Sequence, residues 1–165
     1  MLESSPGLEV VEISCPALHE TFADHEMALP NGRGDPARSY GGQRFVHHVA
    51  ATSPWTEWHG AEAQVTGVGE AADGLVEARV LRPGAGPVIA VPPHDGELVF
   101  GFVLDGSVRL EFGEGPMLGP ADSFVIPPGE AWRLSRASDD FRLLHLTTGR
   151  MVFPAARGRP GSGSA

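Results

Sequence analysis

Four side chains in this sequence could hold a metal or move a proton. His94, Asp95 and Glu97 lie within four residues of one another, and His145 stands on the last long apolar run. Imidazole and carboxylate are the usual donors for iron, manganese, nickel or zinc, and a mononuclear site needs at least three of them converging. The same residue types support acid–base chemistry, since an imidazole oriented by a carboxylate abstracts protons near neutral pH. Asp95 directly follows His94, however, and adjacent residues on a strand point to opposite faces. It could orient His94 only if the chain turns at Gly96. Asp122 reads as a turn residue before Ser123–Ile126. Cys15, between Ser14 and Pro16, has no neighbouring histidine or cation to activate it, and a lone cysteine forms no intramolecular disulfide. It reads as an inert thiol.

The elements that must position these groups are short strands. From residue 43 to 148 the runs QRFVHHVA, AEAQVTGVG, LVEARVLRP, GPVIAVP, ELVFGFVL, SVRLEF, DSFVIPP, AWRLS and DFRLLHLT alternate with Gly, Pro, Asp and Ser clusters. In Ser107–Phe112, Val108, Leu110 and Phe112 share one face and Arg109 and Glu111 the other. A chain of 165 residues with Gly 22 and Pro 15 suits one domain of many strands and turns, a sandwich or small barrel. Within QRFVHHVA, His47 and His48 would face opposite ways and read as structural, and the loop TEWHG between Trp55 and Gly60 reads as anchored over the barrel by Trp55 and Trp58. Residues 1–42 read as an irregular N-terminal arm with one candidate helix at Leu18–Leu29 and a polar turn-rich stretch containing Arg33–Asp35. Residues 151–165, rich in Gly, Ser, Pro and Arg, read as a disordered tail.

Charge and leader patterns narrow the partners. A net charge of -9 with scattered arginines argues against nucleic acid, whose phosphates call for clustered cations. The first residues are acidic where a signal peptide is basic, and no run approaches the roughly 18–20 apolar residues that cross a bilayer. A cytoplasmic protein without membrane partners is expected.

Residues 86–106, GPVIAVPPHDGELVFGFVLDG, and 121–132, ADSFVIPPGEAW, resemble the two motifs of the cupin family. The resemblance covers Glu62 to Val152 and implies an all-β fold, the cupin-type double-stranded β-helix or jelly-roll barrel, over residues 43–150. Gly86, Gly106, Pro127 and Gly129 occupy the backbone-specifying positions. The four metal-ligand positions fall on Pro92, His94, Val99 and Trp132, so His94 is the only one that keeps a donor side chain. Proline, valine and tryptophan side chains cannot coordinate, so no cofactor is expected and the family's metal chemistry does not carry over.

Three readings remain. The ligand position at Val99 implies that Glu97, Val99, Gly101 and Val103 face the interior and Leu98, Phe100, Phe102 and Leu104 the outside. A displaced divalent-metal site would then use His94, Glu97 and His145, with Trp132 as its aromatic wall, and would suit a dioxygenase. A metal-free isomerase or cyclase would use His94 as base, with Glu97 the other candidate catalytic group. A binding module would line an apolar pocket with Val99, Val103, Trp132 and Leu134 and orient a small ligand through His94, Glu97, Arg133 or His145. A filled barrel accounts for the same residues equally well. The binding module, for a small, partly apolar molecule, is the leading expectation. The outer set Leu98, Phe100 and Phe102 is too apolar for a solvated face, and a homodimer is expected to cover it.

Overall fold

The computed structural model describes residues 6–14, 39–40 and 42–149. The chain divides into two compact units, Met1–Asp35 and Pro36–Ala165. In the first, residues 6–14 form no helix or strand. The candidate helix at Leu18–Leu29, Cys15, the Arg33–Asp35 turn and the tail 151–165 lie outside the described residues.

The second unit is built from antiparallel strands: β1 (Ser39–Tyr40), β2 (Gln43–Arg44), β3 (Thr56–Trp58), β4 (Ala61–Val65), β5 (Val76–Pro83), β6 (Val88–Val91), β7 (Val99–Asp105), β8 (Val108–Glu111), β9 (Met117–Leu118), β10 (Ser123–Ile126), β11 (Trp132–Ser135) and β12 (Arg142–Thr148). A four-residue helix, α1 (Val68–Ala71), joins β4 to β5. One sheet has the order β10-β7-β12-β5-β4-β3 and the other β6-β11-β8-β9, while β1 and β2 form a separate hairpin that spans position 42. Val99, Val103, Leu143 and Leu81 of the first sheet share one apolar core with Leu110, Leu134 and Trp132 of the second. The two sheets thus close on each other as a jelly roll.

Period-two patterning explains which residues lie inside. In β7, Val99, Gly101 and Val103 are buried while Phe100, Phe102 and Leu104 are only half-buried. Ladder register then lays the inner side chains in rows. Val103, Leu143, Leu81 and Ala63 form a fully buried apolar floor. Phe124, Gly101, His145 and Arg79 form the row above it, and Ile126, Val99, Thr147 and Glu77 the row nearest the barrel mouth. No helix among the described residues is long and apolar enough to cross a membrane.

Three segments depart from the expected pattern. Phe45–Val49 is not strand. The Val49 carbonyl accepts from Thr52 N and the Ser53 hydroxyl, which draws the chain into a single 3-10 turn at Ala50–Thr52. His47 and His48 therefore have no inside–outside alternation, and His48 Nδ1 instead lies 3.2 Å from Ser53 Oγ. Thr56–Trp58, read as part of a loop, is edge strand β3. His59 (φ 51°) and Gly60 (φ 88°) both take the left-handed conformation, which makes a two-residue hairpin turn onto β4. After Val65 the apolar run bends into α1 and does not continue as strand.

Gly106 supplies the sharpest test of the backbone. It has φ +69°, and an added Cβ would sit 2.5 Å from Ser138 Oγ, 2.6 Å from Phe141 N and 2.7 Å from Asp140 Oδ1. Gly113 shares the conformation (φ +61°) but faces open space. We expect Gly113→Ala to cost about 1–2 kcal/mol from the left-handed strain alone. Gly106→Ala should cost about 2–4 kcal/mol, because overpacking adds to that strain. Urea unfolding of both variants checks this, and equal losses would show that the Ser138–Phe141 turn does not press on Gly106.

Candidate functional site

The barrel mouth is where the β4–β5, β6–β7 and β10–β11 connections gather. The four family ligand positions fall there, and their surroundings decide what each can do. Pro92 is exposed. Val99 and Trp132 are 2% and 1% exposed and belong to the apolar core. His94 is half-buried, with Nε2 3.2 Å from the Ile126 carbonyl. A carbonyl only accepts, so Nε2 carries the proton and Nδ1 keeps its lone pair. Nδ1 is buried and has no partner among the described residues.

Glu97 is exposed and lies outside β7, which begins at Val99. The expectation that Glu97 is the first inward residue of that strand is corrected here. Gly96 is buried against the Thr148 carbonyl so closely that a Cβ would overlap it, and the chain turns there before the strand starts. Val103 and Leu134 are sealed in the core. Among the described residues, no group of three or more His, Cys, Asp or Glu side chains comes together, so His94, Glu97 and His145 do not meet as a triad.

His145 has different company. It is 1% exposed on the inner face of β12. Its ring stacks on Trp132 at a centroid distance of 5.7 Å and an interplanar angle of 19°, and Trp58 lies 5.0 Å away on another side. Arg79, its register partner on β5, places its guanidinium 5.0 Å from the Trp58 ring. Burial first, and then the charge of Arg79, push the His145 pKa down to about 3. The imidazole is therefore neutral at physiological pH. Burial also lowers the Arg79 pKa while Glu77 opposes the shift, and a guanidinium stays charged throughout the physiological range.

Trp58 and Arg79 were missed in the sequence, where TEWHG reads as loop and LVEARVLRP as one more strand. A signal for Arg79 was present, since Glu77, Arg79 and Leu81 share a face of that run and a charge beside Leu81 is out of place in a core. Five buried polar atoms here lack a hydrogen-bond partner among the described residues: Arg79 Nε, Trp132 Nε1, both ring nitrogens of His145, and Glu77 Oε1. Glu77 and Thr147, the next register pair toward the mouth, also line a cavity of about 250 Å³ together with Asp95, Gly96 and Thr148. The cavity lies one inner register row mouthward of Arg79 and His145, which do not themselves line it.

Comparison with known proteins agrees with this architecture. No protein-family model matches the chain, and no curated protein does either. Among solved structures it is similar to an RmlC-like cupin from Shewanella frigidimarina (13% identity, 67% of this chain and 96% of that one, TM-score 0.51). It is likewise similar to a predicted oxalate decarboxylase from Thermotoga maritima (16% identity, 63% and 97%, TM-score 0.51). KdgF from a Halomonas species matches with 22% identity over 63% and 94% of the two chains, at a TM-score of 0.50. The chain has the cupin fold. At these identities the likeness concerns the fold, and activity must come from the side chains described above.

Proposed function

We propose that this chain is a binding protein that uses the cupin barrel to hold a small, partly apolar organic molecule without the family's metal. The observation that carries the reading is the group of unpartnered buried polar atoms around His145, whose ring packs against two indoles. Leaving a buried donor or acceptor unmet costs about 1–3 kcal/mol each. A bound molecule that meets several of them at once recovers that cost, and the half-buried Trp58 offers it flat apolar surface.

A specific observation also supports a second reading, a metal-free isomerase or cyclase: the Nδ1 lone pair of His94 is buried and free, while Nε2 is held by the Ile126 carbonyl. That is the tautomer a general base needs. Deuterium wash-in from D2O to a bound compound, abolished by His94→Gln, would move the assignment from binding to catalysis. The activity of the predicted oxalate decarboxylase is not a guide to either reading at 16% identity.

The binding reading predicts the outcome of elemental analysis on protein purified without chelator or histidine tag. Iron, manganese, nickel and zinc should together stay below ~0.1 equivalent per chain, because fewer than three donors hold a divalent ion too weakly to retain it. Chelation should leave the Tm unchanged. Near-stoichiometric metal that disappears in His94→Ala would overturn the proposal.

A further inference from the structure

We infer that the molecule held in the barrel is a monocarboxylate, its carboxylate seated against Arg79 and its other hydrogen bonds donated by Trp132 Nε1–H and the His145 ring N–H. The inference rests on the binding reading and names the ligand class within it.

The treatment of the two arginines of β5 is the first argument. Arg82, on the outer face, is paired in register with Glu62 of β4, and the two form an ion pair at 2.6 Å. Arg79 lies on the inner face of the same strand, and the register partner that β4 offers it is Val65. The ion pairs among the described residues are Arg44–Glu70, Arg82–Glu62 and Arg133–Glu111, so none involves Arg79. The chain thus provides a counter-ion for the outward arginine and an apolar neighbour for the inward one, both being half-buried. Arg79 has no carboxylate within ion-pair distance among the described residues, and Glu77 on the same face acts on it only from farther off. Such a half-buried cation is suited to receive a carboxylate from a ligand.

Donor count is the second argument. Trp132 Nε1 and Arg79 Nε only donate, and the neutral imidazole of His145 donates through one nitrogen and accepts through the other. The complement to these three donors, one of them on a cation, is an oxyanion. Its charge is bounded by Glu77 and Asp95, which line the cavity at the mouth and would repel a second negative charge. A phosphate monoester carries nearly two negative charges at neutral pH and faces that repulsion. A carboxylate on an apolar body carries one, and its flat group and body suit the half-buried indole of Trp58. Glu77 Oε1, an unmet acceptor on the mouth side, suits a hydroxyl at the outer end of the molecule.

The test compares acetate and benzoate with their neutral isosteres acetamide and benzamide on the full chain. Calorimetry gives the affinities, and the Trp132 indole ¹H–¹⁵N signal reports whether the probe reaches the site. Each carboxylate should bind roughly tenfold or more tightly than its amide, as expected for a charge-assisted hydrogen bond. Arg79→Met should abolish the preference. Arg79→Lys, which keeps the charge in a similar volume, should retain part of it and guards against a folding defect in the Met variant. If amide and acid bind equally and both shift Trp132, the carboxylate inference fails while the binding reading stands. If neither pair shifts Trp132 up to its solubility limit, both fail.

Discussion

Replacing Trp132 with alanine is expected to cost about 3–5 kcal/mol of stability, the range for emptying a large aromatic from a packed core. Trp132 is among the largest fully buried side chains and joins the two sheets, with ring centroids 5.5 Å from Phe124 and 5.7 Å from His145. A loss of that size is a large fraction of the 5–15 kcal/mol that typically separates folded from unfolded states. Trp132→Phe separates the two roles of the side chain. Phenylalanine keeps most of the volume and removes the unpartnered Nε1–H, so the cavity cost and the relief of a buried orphan oppose each other. We expect Trp132→Phe to stay within about 1 kcal/mol of the wild type while losing ligand affinity. Urea unfolding of both variants measures this. An alanine variant that loses less than about 1 kcal/mol would mean that Trp132 is not core, contrary to its burial.

The second large effect is an acid-dependent loss of stability traceable to His145. Its pKa is about 3 in the folded chain against an ordinary value of 6.5, with burial the main cause. Between those values the unfolded chain binds a proton that the folded chain refuses, so stability is full above pH 6.5 and falls as the pH drops toward 3. Each pH unit in that window costs about 1.4 kcal/mol, or on the order of 3 kcal/mol by pH 4. Carboxylates elsewhere also titrate there, so the informative quantity is the difference between the wild type and His145→Leu. The leucine variant lacks the titration, and its stability relative to the wild type should rise by on the order of 3 kcal/mol from pH 7 to pH 4. A difference that stays constant with pH would show that His145 is not held neutral. A monocarboxylate bound beside Arg79 would favour protonated His145, so saturating ligand should flatten the slope.

The mouth of the barrel shows how far the residues could be read in advance. The turn residues Gly106, Pro127 and Gly129 and the alternation through Val99–Val103 carry the cupin fold, and the loss of donors at Pro92, Val99 and Trp132 is plain from residue type. Trp132 and His145 were both legible as interior candidates. Glu97 was placed inside by extending the alternation two residues too far. Gly96 ends that extension by packing on Thr148, a contact between segments distant in sequence. Trp58 was not legible as a site residue because β3 is only three residues long, and the charge of Arg79 on the face of Leu81 was a local signal that does not show that β5 lies beside β12.

The boundary between the two kinds of knowledge follows from the range of the forces involved. Period-two patterning, turn chemistry and the identity of side chains at motif positions are local, and they decided the strands, the barrel and which residue types stand at the motif positions. Which inner side chains meet was decided by ladder register between strands that are not consecutive, with β12 placed between β7 and β5. That register sets Arg79 beside His145 and Val65 beside Arg79, and sheet closure brings Trp132 onto the same imidazole. Whether an inward-facing cation finds a counter-ion, and whether a histidine stays neutral, depends on those neighbours and on exclusion of water, neither of which exists until the two sheets have closed.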